Sequence, residues 1–238
     1  LIKNKPLLNK ILSFLFPVTI FKQNSTVSSS IEISWNNGQL VMDSKNTNYS
    51  YGSLQRILRR GLLSIGFSNI NTLDSILVMG VAGGSVIKTL VNEIEFKGKI
   101  TGVEIDPEII TLANKYFNLD KIPNLTITIE DACKFVQKSN KTFDLIIIDI
   151  FQDNTMPEFI FETVFIENTC SLLNPGGYLL FNTMIHTKSD QERNNQYKEN
   201  FSSEQFIVLS LPKVEVYNEL FIIQKTKRDL KNVPLSKH

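Results

Sequence analysis

The run Gly80-Val81-Ala82-Gly83-Gly84-Ser85 sits between an apolar stretch and a helical one. Small residues at such a junction let the backbone turn sharply and let a ligand approach a helix N-terminus. They fall at Gly80, Ala82 and Gly84, a GxGxG-like spacing, whereas a dinucleotide fingerprint wants glycine where Ser85 stands. A plain tight turn has the same look, so the loop is informative only with its neighbours. Glu104 closes the next apolar stretch, 24 residues after Gly80. An acid at about that offset can hold both hydroxyls of a ribose. Asp106, directly ahead of Pro107, reads better as a helix cap.

Two further acids follow later strands. Asp131, in Glu130-Asp131-Ala132, can accept the exocyclic amine of an adenine while Ile105 and Ala132 flank the ring; it can also cap the next helix. Asp149 ends an apolar run, and Asp153 comes shortly after it. Phe151, between them, is the aromatic residue expected beside a ligand. Glu104, Asp106, Asp131, Asp149 and Asp153 thus gather near one edge. A pocket of carboxylates suits a sulfonium or an amine better than a pyrophosphate, which favours S-adenosylmethionine or a relative over NAD.

These residues need a scaffold that brings strand ends together. From residue 75 onward, short apolar runs alternate with helical segments. Strands are expected at Ile76–Met79, Lys99–Glu104, Leu125–Ile129, Asp144–Ile150 and Tyr178–Phe181, and a late β-β pair at Phe206–Leu211 and Leu220–Gln224. The intervening helices are Gly84–Ile94, Pro107–Phe117, Asp131–Gln137, Glu158–Leu173 and Ser189–Asn200, with Asn174-Pro175-Gly176-Gly177 as a helix stop. Alternation of this kind implies a parallel sheet with right-handed crossovers. Ligands of open α/β sheets bind at the carboxyl ends of the strands. Before it, Val18–Lys22, Ser30–Trp35 and Gln39–Met42 read as strands, with Asn36-Asn37-Gly38 as a hairpin turn. Asp43–Tyr51 reads as a polar loop and Ser53–Leu63 as an amphipathic helix.

Taken together, residues 75–183 resemble the class I S-adenosylmethionine-dependent methyltransferase fold: an α/β, Rossmann-like, seven-stranded sheet with a late β-β pair, here carrying a small N-terminal β-hairpin extension. Within it, the chain most resembles the spermidine synthase family of aminopropyltransferases. The residues that carry this are the amino-terminal hairpin, LVMDS, Tyr49-Ser50-Tyr51, GVAGGS, VEID and the DIFQD loop. The resemblance implies a transferase whose donor is S-adenosylmethionine or decarboxylated S-adenosylmethionine and whose acceptor is a small, cationic amine. It implies Asp149 as the base on the attacking amine, and Tyr51 and Asp153 as acceptor-binding residues. Gly80, Ala82, Gly84, Glu104, Ile105, Asp131, Ala132 and Phe151 would hold the donor. The family's loop carries an Asp where Gly83 stands, so the donor is left open between the two forms. A homodimer is also implied. The alternative is a catalytically silent nucleoside-binding module that kept the fold.

Composition narrows the class. The chain has 238 residues, 42% of them apolar and 21% charged, which is ordinary globular usage. A net charge of +1 gives no nucleic-acid signal. Its distribution is uneven: residues 1–70 carry +6, residues 71–177 carry −7 and residues 178–238 carry +2. The acidic middle fits a cationic ligand. Two cysteines and two histidines offer neither a disulfide framework nor a metal site, and a reduced, cytoplasmic setting is the default. Leu7–Phe21 is interrupted by Asn9, Lys10 and Pro17 and is shorter than the ~20 residues of a membrane span, so no membrane partner is expected. Leu7–Leu15 is expected to form a short helix packing on the body or a partner chain. The expected organisation is a 1–70 extension, a 71–225 nucleoside-binding catalytic domain and a 226–238 basic tail.

Overall fold

Asn37 and Gly38 adopt positive φ, 48° and 77°, the conformation that matches the twist of a tight hairpin. In the computed structural model, which describes residues 5–25, 27, 30–44, 48–50, 53–152 and 155–227, this hairpin anchors an amino-terminal sheet. Helix α1 (Lys5–Leu12) precedes strands β1 (Val18–Asn24), β2 (Ser30–Asn36), β3 (Gln39–Ser44) and β4 (Asn48–Ser50), which pair antiparallel in that order. The short β4 falls where the sequence suggested only a polar loop; it exists through its pairing with β3. Helices α2 (Ser53–Ile65) and α3 (Phe67–Asn71) lead out of this sheet. The apolar stripe of α2, Ile57, Leu58 and Leu62, is buried as its spacing requires.

The second sheet follows the alternation of the sequence. It comprises β5 (Ser75–Met79), β6 (Lys99–Glu104), β7 (Leu125–Ile129), β8 (Phe143–Ile148), β9 (Leu173–Met184), β10 (Phe206–Leu211) and β11 (Asn218–Lys225). The helices between them are α4 (Ser85–Lys88, continued by a wider turn over Thr89–Glu93), α5 (Pro107–Phe117), α6 (Ala132–Lys138), α7 (Thr163–Ser171) and α8 (Lys188–Glu199). Strand order is β10-β11-β9-β8-β5-β6-β7, with β11 antiparallel to both neighbours. This is the expected seven-stranded class I methyltransferase sheet with its late β-β pair.

Helices on both faces explain the unbroken apolar runs of the central strands. Along β8, Leu145 and Ile147 enter one core layer while Ile146 and Ile148 enter the other. One boundary differs from expectation. The Asn174-Pro175-Gly176-Gly177 stretch lies within β9 rather than ahead of it. The Asp144 carboxylate binds the Asn174 amide at 2.7 Å and the Asp74 and Ser75 N–H groups at 3.0 Å, tying the starts of three strands together. Tail residues 228–238 lie outside the described residues.

Candidate active site

The chain leaves β5 for β6 on one side and returns to β8 on the other, so a crevice opens where strand order reverses. A cleft of about 90 Å³, partly open to solvent, lies at this point. Gly80, Ala82, Glu104, Ile105, Asp131, Ala132, Asp149 and Phe151, eight of the residues singled out from sequence, line it.

Gly80 is there because nothing larger fits. Its φ is 87°, and a Cβ would stand 2.1 Å from the carbonyl oxygen of Asp149. The Gly80 N–H bonds Val103 and the Asp149 N–H bonds Met79, so the ends of β5, β6 and β8 are drawn to one point. Gly84 plays another part. It caps α4 in a left-handed conformation with its α-carbon against Leu119, and it is not among the residues lining the cleft. It shapes the loop behind the ligand surface.

Glu104 is buried, and its carboxylate accepts four backbone N–H groups. Oε2 takes those of Val81 and Ala82, both at 3.1 Å; Oε1 takes those of Ile105 and Asp106 at 2.9 and 3.2 Å. Burial raises its pKa and the four amides oppose that rise. Glu104 is therefore the staple that holds the glycine loop against β6. A carboxylate has about four lone-pair sites, so a ribose hydroxyl would share these oxygens rather than find one idle.

Asp106 behaves as the cap it was expected to be. Its Oδ1 accepts from Glu108 N–H at 2.9 Å, and its Oδ2 accepts from the Ser25 hydroxyl at 2.6 Å, linking the β1–β2 connection to the main sheet. Asp131 caps α6 through Lys134 N–H at 3.0 Å and also lines the cleft. Of the five clustered acids, Glu104, Asp131 and Asp149 line the cleft, Asp106 is buried in its capping role, and Asp153 lies outside the described residues, as does Tyr51.

Asp149 lines the cleft just past a strand end. Strand β8 ends one residue before it. Burial pushes its carboxyl up to about 7, opposed by a hydrogen bond from Asn182. No lysine or arginine is among the described residues lining the cleft. The Asn182 amide nitrogen donates to Asp149 Oδ1 at 2.9 Å, and the Asn182 oxygen accepts from the Asn218 amide at 3.0 Å. Asn218 thereby fixes which end of Asn182 faces the carboxylate. Sequence reasoning missed both. Their signal was weak: single polar residues at the ends of two apolar strands, on neighbouring positions of an antiparallel pair that only the fold reveals.

The rest of the lining is apolar or acidic except for Gln152. Ile105 is 44% exposed, a free apolar surface at the cleft. Ile109, Ile150, Phe159 and Val27 line it too. Val27 belongs to the β1–β2 connection, so the amino-terminal sheet contributes to the cleft. His186 packs on Tyr217 with ring centres 4.6 Å apart and is not among the lining residues. Burial raises the thiols of Cys133 and Cys170, the latter to about 12, which leaves both as poor nucleophiles. Arg56 and Arg59 are paired with Glu215 and Glu93 at 3.0 and 2.5 Å. Among the described residues no group of side chains could hold a metal ion, and no helix is long and apolar enough to cross a membrane.

Comparison with known proteins agrees with this geometry. The sequence profile of the "Spermine/spermidine synthase domain" matches residues 56–236. A Bifidobacterium longum protein named "Probable polyamine aminopropyl transferase" is 34% identical over 109 residues, covering 46% of this chain and 24% of that one. The polyamine aminopropyltransferase of Vibrio vulnificus is 28% identical over 131 residues, 54% of this chain and 44% of that one. The chain thus spans less than half the length of either relative. Among solved structures, a spermidine synthase in complex with the transition-state analogue AdoDATO superposes with a TM-score of 0.65 at 16% identity, over 89% of this chain and 73% of that one.

Proposed function

We propose that this chain, which belongs to the spermine/spermidine synthase family, transfers an aminopropyl group from decarboxylated S-adenosylmethionine to a small amine. The observation that carries the reading is the place of Asp149: a half-buried carboxyl just past the end of β8, lining the cleft, held by the Asn182 amide at 2.9 Å and pushed up to about 7 by desolvation, with no cation of the described lining to neutralise it. A group balanced near neutrality can take a proton from an ammonium and pass it on.

The donor arrives activated, because a sulfonium makes its neighbouring carbon electrophilic. The amine, deprotonated by Asp149, attacks that carbon in line. The C–N bond forms, the C–S bond breaks, and the electron pair returns to sulfur as a neutral thioether, methylthioadenosine. The product keeps its remaining protons as a secondary ammonium, and Asp149 passes the one proton it took to solvent. Little covalent work falls to the protein; holding the reactants in line can supply ~7–11 kcal/mol of the barrier. Glu104 and the Gly80–Ala82 loop would hold the ribose side, and Asp131, Ile105 and Ala132 the adenine. Tyr51 and Asp153 would bind the acceptor.

One observation favours a second donor. Gly83 offers no carboxylate to the donor's amine, so a carboxylated donor meets no repulsion there, and methyl transfer from S-adenosylmethionine is the second reading. The test supplies each donor with putrescine and follows the nucleoside product. Methylthioadenosine from the decarboxylated donor supports aminopropyl transfer. S-adenosylhomocysteine from S-adenosylmethionine replaces it with methyl transfer. Neither product with any of a panel of amines, despite donor binding, identifies a silent module.

A further inference from the structure

A serine hydroxyl ties the β1–β2 connection to the main sheet. Ser25 Oγ donates to Asp106 Oδ2 at 2.6 Å, across 81 positions of sequence. The same Oγ accepts from the Val27 N–H at 3.1 Å. Asp106 is 1% exposed, and its other carboxylate oxygen accepts from the Glu108 N–H, so the receiving end of the link is fixed to the start of α5. A hydrogen bond from a hydroxyl to a carboxylate is among the shorter and stronger ones. The backbone of Val27 therefore stands two hydrogen bonds from a rigid point of the main sheet.

What this link delivers is an apolar side chain. Val27 lines the cleft and is 40% exposed. Ile105, the neighbour of Asp106 in sequence, lines it too at 44% exposed, and Ile109 joins them from the first turn of α5. One solvent-facing apolar side chain on a connection is ordinary. Here there are two in one cleft, one from each sheet, and the backbone of the first is tied to the residue beside the second. Together they present an apolar surface that the flat face of a nucleobase would cover. A small aliphatic ammonium has no use for it and is drawn to the carboxylates instead.

We propose, on the reading of this cleft as the site of a nucleoside donor, that Val27 is a donor-binding residue and Ser25 the positioning residue that holds it there. The amino-terminal sheet then completes the donor pocket. Ser25 acts through Val27: a connection that keeps Val27 in place only part of the time lowers the apparent affinity by that fraction.

The test is calorimetric titration of the full chain with methylthioadenosine, beside thermal melts without ligand that register any structural loss separately. Val27→Ala removes two methyl groups from the surface the ligand covers and should weaken binding about ten-fold. Ser25→Ala should weaken it about three- to ten-fold, and Ser25→Thr, which keeps the hydroxyl, should restore the parent's affinity. Because Ser25 acts through Val27, the variant carrying both Ser25→Ala and Val27→Ala should bind no more weakly than Val27→Ala alone. Parental affinity in Val27→Ala, a lowered melt with parental affinity in Ser25→Ala, failure of Ser25→Thr to restore binding, or losses that multiply in the double variant would each overturn the proposal and leave the donor site standing. No binding of methylthioadenosine by the parent chain would overturn the donor-site reading and the proposal together.

Discussion

Asn182 is the side chain among the described residues that keeps Asp149 from drifting further toward its protonated form, and its removal has a calculable cost. Replacing Asn182 by Leu keeps similar volume and deletes the 2.9 Å bond to Oδ1. A hydrogen bond to a charged group is worth about 1.5–3 kcal/mol, and one pH unit corresponds to about 1.4 kcal/mol. The Asp149 midpoint should therefore rise from about 7 to about 8–9. A higher pKa means that a higher pH is needed to form the base. At pH 7 the deprotonated fraction falls from about a half to about 1–10%, so kcat/KM should drop roughly 5- to 50-fold and recover above pH 9. The assay is the pH profile of kcat/KM for both proteins with one diamine. The amine's own titration is common to the two, so the displacement between the curves belongs to the protein. Asn218→Leu should give a smaller displacement in the same direction, because Asn182 loses the partner that orients it. A profile that falls equally at every pH, with no displacement, would refute the reasoning and reduce Asn182 to a packing residue.

Three further outcomes follow from the same geometry. Glu104→Gln removes one acceptor oxygen from beneath two of the four backbone N–H groups; it should cost about 2–4 kcal/mol of stability, and the thermal shift given by methylthioadenosine should vanish, whereas an unchanged shift would exclude Glu104 from the donor site. Gly80→Ala forces a Cβ toward the Asp149 carbonyl, 2.1 Å away in the present backbone; the displaced Asp149 should lose about 100-fold in turnover, more than the accompanying drop in melting temperature explains. Asp149 and Asp43 both stand above their unfolded values of 3.8, at about 7 and about 6. The folded chain holds their protons longer than the unfolded one, so stability should be greatest below pH 4 for these two groups and decline as pH rises through 4 to 7, by up to about 4 kcal/mol for Asp149. Asp149→Asn should flatten that decline in denaturant titrations; an unaltered slope would mean that Asp149 is not the protonated group.

The sequence was most informative where physics leaves few choices. An acid that follows an apolar run in an alternating β-α pattern must sit at the carboxyl edge of a parallel sheet, which is why Glu104, Asp131 and Asp149 were legible. Asp106 was read correctly as a cap because Pro107 cannot continue a hydrogen-bonded turn backward. Gly84 was harder, since a glycine that faces a ligand and one that faces Leu119 look alike in one dimension. Strand β4 and the early start of β9 depend on partners far away in the chain: β3 for one, the Asp144 staple for the other. Asn182 and Asn218 carry no local signature, because their meaning arises only when β9 and β11 pair.

The most direct test of the account compares the parent chain with Asp149→Asn in a single turnover of decarboxylated S-adenosylmethionine with putrescine, alongside methylthioadenosine binding. The account predicts methylthioadenosine release by the parent, a loss of at least about 100-fold in the variant, and equal nucleoside binding by both. Full turnover by Asp149→Asn would contradict it.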